Sequence, residues 1–246
     1  MTSAPGERAW TLSDTEVFAK YGDTVVPQRA EQIATVCDLL AGIPVPRVLD
    51  LCCGEGRLAE EYLGRAHDGE VTVLDDSAEM LELAAARLAR FGGQVSQVRA
   101  DIADTGWRTA GGYGGVMTSL AVHHLDAAGK QQLYRDLHAM LAPGGVFVMA
   151  DLVEPTGPAA REIAASRWDR SVAVTSQERF GSDEALRVFR ETEWNYYLLP
   201  GPDPVDHPSS VAEHLTWLTE AGFTEVDLVW LQAGHAIFTA RRAAVG

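Results

Sequence analysis

Apolar positions along the chain switch repeatedly between two periods. Val48, Leu49 and Leu51 form a short apolar run of the kind a strand buried on both faces requires. Gly54 and Gly56 break it, and Leu58-Ala59-Glu60-Glu61-Tyr62-Leu63 opens a helix. The alternation then recurs. Glu70 to Asp75 reads as a second strand, and Ser77 caps a helix with Met80, Leu81, Ala84, Leu88 and Phe91 along one face. Gln94 to Arg99 and Tyr113 to Leu120 read as the third and fourth strands. Asp126 caps a helix with Leu133, Leu137, Met140 and Leu141 as its stripe, which Pro143-Gly144-Gly145 closes before a fifth strand, Val146 to Asp151. Strands alternating with helices of this length predict a parallel sheet covered on both faces.

Two ends and one interruption depart from that rhythm. Upstream, Thr11 to Gly22 carries Phe18 and Tyr21 on a short helix, and Pro27 opens a second with Ile33, Val36, Cys37 and Leu40 at i, i+3, i+4 and i+7. Downstream, Ser209 or Ser210 caps a helix with Val211, Leu215 and Leu218. Thr224 to Leu231 and His235 to Arg241 then flank Gln232-Ala233-Gly234, which predicts an antiparallel hairpin at the sheet edge. Residues 155–208 place Trp168, Phe180, Phe189, Trp194, Tyr196 and Tyr197 among charged helical residues, so a helical insertion is expected there. The predicted organisation is an α/β protein of seven strands, parallel but for one. Cap helices occupy 1–43, the core 44–154 and 209–246, and the insertion 155–208.

Composition narrows the chemistry. With 246 residues, 46% apolar and 22% charged, the chain can bury one large core. Its net charge of −15 disfavours nucleic acid and anionic lipid as partners. No run of 18 apolar residues occurs and Met1 to Ala9 is polar, so neither a membrane span nor a signal peptide is expected. Of three cysteines, Cys37, Cys52 and Cys53, the last two are adjacent and poorly disposed to bridge, which fits a reducing cytoplasm. No C-x-x-C or histidine spacing accompanies them, so no metal is expected.

The strand, glycine turn and helix of residues 48–63 would present backbone N–H groups at the carboxyl end of the first strand, where open α/β sheets take ligands. Asp50, just before the glycines, adds a negative charge that suits an ammonium and would repel a pyrophosphate. Asp75 follows Gly56 by 19 residues, near the spacing of about 20 at which a ribose-binding carboxylate is expected.

Asp50-Leu51-Cys52-Cys53-Gly54-Glu55-Gly56 resembles the acidic, glycine-spaced first motif of class I S-adenosylmethionine (SAM) dependent methyltransferases. Cys52 stands where that family most often has its first glycine. Asp75-Asp76-Ser77-Ala78-Glu79-Met80-Leu81 resembles the second motif, and Leu141-Ala142-Pro143-Gly144-Gly145 the junction before the fifth strand. The resemblance implies a Rossmann-like fold and SAM as cofactor. The residues implied to bind it are Tyr21, Asp50, Cys52, Gly54, Gly56, Asp75, Met80, Asp101, Ile102, Ser119 and Leu120, with Asp101 at the adenine amino group and Ile102 over its ring. The Asn-Pro-Pro-Tyr signature of amino-group methylation is replaced by Ser119-Leu120-Ala121-Val122.

His123 or His124, at the carboxyl end of the fourth strand, is a candidate general base, and as neighbours the two are not expected to face the pocket together. Trp168, Trp194, Tyr196 and Tyr197 either wall a small-molecule acceptor pocket or hold the insertion to the body or to a second subunit. The expected activity is methyl transfer to an oxygen, nitrogen or carbon nucleophile, in which alignment of donor and acceptor does most of the work. A wobble-uridine tRNA enzyme or carboxy-SAM producer of the same fold, a non-catalytic SAM-binding protein, and a nicotinamide oxidoreductase are the competing readings. The last lacks a Tyr-x-x-x-Lys pair.

Overall fold

A computed structural model describes residues 12–109, 111–201 and 203–244. Met1 to Ala9 and Thr11 lie outside them. Seven strands form one sheet: β1 (Arg47–Leu51), β2 (Glu70–Asp75), β3 (Val95–Arg99), β4 (Tyr113–Ser119), β5 (Leu141–Leu152), β6 (Thr224–Gln232) and β7 (His235–Arg241). Their order is β3-β2-β1-β4-β5-β7-β6. All run parallel except β7, which pairs antiparallel with both β5 and β6. The chain builds outward from β1 in one direction and from β4 in the other, so the carboxyl ends of β1 and β4 flank the switch point where such sheets open a ligand crevice.

Helices α2 (Arg29–Leu39), α3 (Arg57–Arg65) and α4 (Ala78–Leu88) cover one face. Val36, Leu40, Tyr62, Leu63 and Leu88 pack there on Val48, Val73 and Val148. On the other face lie α5 (Ala127–Met140) and α8 (Val211–Glu220), with Leu133, Tyr134, Leu137 and Leu218 against Phe147, Met149 and Phe238. A third apolar layer joins α1 (Leu12–Val25) to α6 (Pro158–Phe180) and α7 (Glu184–Glu191), through Tyr21, Val25, Trp168, Val172 and Phe189. The leading helix and the insertion therefore share a core of their own.

Local sequence accounts for the helix starts. The Ser77 hydroxyl accepts from Met80 N at 3.1 Å, Asp126 from Gly129 N at 2.7 Å, and Ser210 with Glu213 forms a reciprocal capping box. Gly114, in β4, answers to a close approach: a Cβ there would meet the Val45 carbonyl oxygen at 1.8 Å. The expected start of β5 at Val146 needs correction. The strand begins at Leu141, which pairs with Tyr113, and an irregularity before the Gly115–Val146 pair absorbs the intervening Pro-Gly-Gly. Gly144 N and Gly145 O are satisfied by the Arg242 backbone, each at 2.9 Å, so the loop is bonded to the end of β7.

Candidate active site

At the carboxyl ends of β1 and β2, one carboxylate organises the glycine turn. Asp75 accepts from Gly54 N at 2.9 Å and from Ser77 N at 3.0 Å, joining the turn after β1 to the cap of α4. Burial raises its pKa against those two hydrogen bonds. Gly56 precedes α3 with φ 80°, and a Cβ there would press on Ala84 and Leu88 at 3.2 Å. Cys52 holds φ 53° without being glycine, a conformation that costs roughly 1–2 kcal/mol. Burial pushes both the Cys52 and Cys53 thiols up, so they stay protonated and are poor nucleophiles and poor metal ligands.

Asp50 is 1% exposed and accepts from Ala59 N at 3.1 Å through Oδ2. Its Oδ1 has no hydrogen-bond partner. Burial drives its pKa up to about 7, so it waits half-ionised for a cation. Nearby stands a group that sequence reasoning missed: the Arg29 guanidinium, at the start of α2. Its charge is felt at Asp50, burial lowers its own pKa to about 10, and its Nε also has no hydrogen-bond partner. Asp23 lies 3.8 Å away and also pairs with Arg57 at 2.9 Å, which ties the leading helices to the glycine turn. Arginine at the first position of a helix carries no motif, so no local signal marked it.

The remaining donor-side residues divide by burial. Met80 and Ile102 are buried at the rim, while Asp101 is exposed and its side chain caps Ala103 N at 2.8 Å. Tyr21 is buried; its hydroxyl donates a short hydrogen bond to Glu184 and its ring lies edge-on to Phe180. Ser119 and Leu120 are half-buried where β4 ends, with Leu120 at φ 56°, so non-glycine left-handed residues end both β1 and β4.

Beyond β4 the chain makes a 3₁₀ turn over Val122–His124. His123 is 6% exposed; its Nδ1 lies 2.5 Å from Asp151 Oδ1 and its backbone N donates to Asp151 Oδ2 at 3.0 Å. Burial opposes a charge on the imidazole, yet Asp151 and Asp206 outweigh it and its pKa is raised. His124 Nδ1 sits 3.1 Å, and His123 Nε2 3.5 Å, from the same oxygen of Asp206. The expectation that adjacent histidines diverge is thus corrected: it holds for extended chain, whereas the 3₁₀ turn brings both nitrogens to one carboxylate. Asp151 lies one residue before the end of β5 and Asp206 in the last residues of the expected insertion, and neither was singled out from sequence.

The insertion aromatics are mostly spent on structure. Trp168 Nε1 donates to Val25 O at 2.7 Å, and its ring packs on Phe189, Tyr197 and His235. The Tyr197 hydroxyl lies between Val153 O at 2.9 Å and Gly234 O at 2.6 Å. Trp194 and Tyr196 are half-buried, Trp194 tilted on Phe18 and Tyr196 under the Arg161 guanidinium.

A seven-stranded sheet of this order, with a glycine turn held between two acids, defines a Rossmann-like cofactor-binding fold. Residues 48–145 match the family described as methyltransferase domain. Over 202 residues the chain is 35% identical to a trans-aconitate 2-methyltransferase of Paracidovorax citrulli, spanning 75% of this chain and 72% of that protein. An uncharacterized methyltransferase of Synechocystis sp. is 34% identical over 117 residues, 48% of this chain and 52% of its own. An O-methyltransferase family protein from Burkholderia thailandensis shares the fold, with a TM-score of 0.66 at 13% identity, over 95% of this chain and 60% of that one. The chain spans about half to three fifths of the length of several curated relatives it matches. It belongs to the class I SAM-dependent methyltransferases. No described helix is long and apolar enough to cross a membrane.

Proposed function

We propose that the protein transfers the methyl group of SAM to a small-molecule acceptor at the carboxyl ends of β4 and β5. The observation that carries this is a pair of buried polar atoms with unmet hydrogen-bonding capacity at the donor cleft, although Arg29 is also ion-paired to Asp23 at 3.8 Å. Asp50 Oδ1 and Arg29 Nε are both buried without a hydrogen-bond partner, and the amino acid end of SAM supplies an ammonium for one and a carboxylate for the other. Asp75 then takes the ribose hydroxyls with its remaining acceptor capacity, and Asp101 and Ile102 meet the adenine. A pyrophosphate would face Asp50 and be repelled, which disfavours a dinucleotide.

The sulfonium is a strong electrophile, so alignment and exclusion of water supply most of the rate. On the acceptor side, His123 is better placed than His124 to act on the nucleophile. Asp151 fixes Nδ1, and Nε2, 3.5 Å from Asp206 Oδ1, in its neutral form takes the proton of a weakly acidic acceptor. Trp194 and Tyr196, half-buried on the insertion, are the aromatics proposed to line the acceptor side.

Calorimetric titration with SAM, S-adenosylhomocysteine and NAD tests the donor; NAD binding without SAM binding sinks the proposal. Trans-aconitate is the first acceptor to assay, because a 35%-identical relative is named for it. His123→Ala should lower turnover by about 10²–10⁴-fold with SAM affinity unchanged, and His124→Ala by much less. Full activity in both leaves alignment as the whole mechanism.

A further inference from the structure

The described residues hold one group of three imidazole and carboxylate donors that converge on a common point: His123, His124 and Asp206, whose ligand atoms all lie within 4.8 Å of one another. We propose that these three side chains bind a divalent transition-metal ion at the mouth of the acceptor site. The inference rests on the reading that the acceptor meets the ends of β4 and β5, and it puts an ion where that reading leaves a proton.

Geometry supports it first. Donors about 2.0–2.1 Å from a tetrahedral ion stand roughly 3.3 Å apart. Asp206 Oδ1 lies 3.1 Å from His124 Nδ1 and 3.5 Å from His123 Nε2, so two of the three separations already match that spacing and all three are within 4.8 Å. Asp151 supplies the usual outer partner of a metal-bound histidine: a buried carboxylate on the far ring nitrogen, which fixes the tautomer and aims Nε2 at the ion.

The donor set is also held in place before any ion arrives. His207 N donates to His123 O at 2.7 Å, pairing the end of the insertion with the turn after β4. The buried Lys130 ammonium donates to His207 O and, at 2.8 Å, to the Ser209 hydroxyl. Asp203 accepts from Val205 N at 2.8 Å and from Asp206 N at 3.1 Å, which shapes the loop that presents Asp206. These are backbone clamps on the residues beside the donors, and they leave Nε2 of His123 and Oδ1 of Asp206 facing each other.

Two imidazoles and one carboxylate select among ions. They suit zinc, iron, cobalt and nickel, whereas magnesium and calcium require all-oxygen sets. Three protein ligands leave at least one position open, as in catalytic rather than structural sites. The acceptor class that fits an open position beside the sulfonium is one bearing an oxygen anion, such as a carboxylate, an enolate or a phenolate. With the ion in place, coordination and not the imidazole lowers the pKa of a hydroxyl acceptor.

The test uses the full chain dialysed against EDTA and titrated calorimetrically with ZnCl₂, with MgCl₂ as the hard-cation control; CoCl₂ gives an optical signal from its d–d bands. One zinc per chain with a micromolar or tighter Kd is expected, with no magnesium binding. Asp206→Asn and His124→Ala remove partly exposed side chains and should each weaken zinc at least tenfold and alter the cobalt spectrum. His67→Ala, at an exposed histidine elsewhere, should change nothing. Absence of stoichiometric zinc binding overturns the proposal, and so does equal affinity in Asp206→Asn. SAM titrated into the same metal-free samples separates the two readings: intact SAM binding with no zinc site leaves methyl transfer standing, while loss of SAM binding removes the donor assignment whatever zinc does.

Discussion

The two halves of the cleft are built in opposite ways. At the ends of β1 and β2, residues close in sequence make the site: Asp50, Gly54, Gly56 and Asp75 fall within 26 residues, and Asp75 bonds the turn backbone directly. At the ends of β4 and β5, His123 meets Asp151 from the next strand and Asp206 from the end of the insertion. Much of the recognition of a fixed cofactor can be written into one strand-helix-strand unit. The side proposed to meet the acceptor is assembled from segments that the sheet brings together.

Four experiments would break or sharpen this contrast. The largest effect is expected from Trp168→Ala. Removing a buried indole that joins α6 to α1 should cost about 3–5 kcal/mol of stability, read as a lower denaturation midpoint, while SAM affinity stays within a few fold. A comparable loss of SAM affinity would mean the two sides are one cooperative unit. Next is Asp75→Ala, which should weaken SAM binding by about 1.5–3 kcal/mol, the range for hydrogen bonds to a charged acceptor. Calorimetry that finds unchanged affinity removes the ribose assignment.

Third comes the pH dependence of SAM binding. Burial holds the Asp50 pKa at about 7 in the free protein, and pairing with an ammonium requires the ionised form. Binding below that pH must therefore release a proton, and affinity falls as pH drops. A decrease of about tenfold between pH 8 and 6 is expected, and Asp50→Asn should flatten the slope as well as weaken binding. A flat profile in the unaltered protein would show that Asp50 does not meet the ammonium. The smallest effect belongs to Cys52→Gly. Relief of a non-glycine φ of 53° offsets the added chain entropy of glycine, for a gain of at most about 1 kcal/mol. Cys52→Ala keeps the Cβ and should give no such gain in thermal denaturation.

Most of the architecture is legible in the chain because it depends on short-range periods. Apolar runs of a few residues, glycine turns and caps such as Ser77 and Ser210 fix strands, helices and their boundaries locally. The start of β5 is the instructive exception. Pro143-Gly144-Gly145 looks like a terminator, yet hydrogen bonds to Arg242, about a hundred residues away, keep it within the strand. The paired histidines fail for a related reason: side-chain divergence assumes extended backbone, and the turn after Leu120 is not extended.

By itself, then, the sequence determined the alternation of strands and helices, the glycine turn with its flanking acids, and hence the family of the fold and its cofactor. The tertiary structure alone decided that Arg29 stands near Asp50, that Asp151 fixes the His123 ring, and that Asp206 closes on both histidines. The physical reason is range. A turn or a cap is stabilised by atoms a few residues apart, so its cause is printed in order along the chain. A buried charge is stabilised by whichever partner the assembled sheet sets beside it, and no local pattern names that partner.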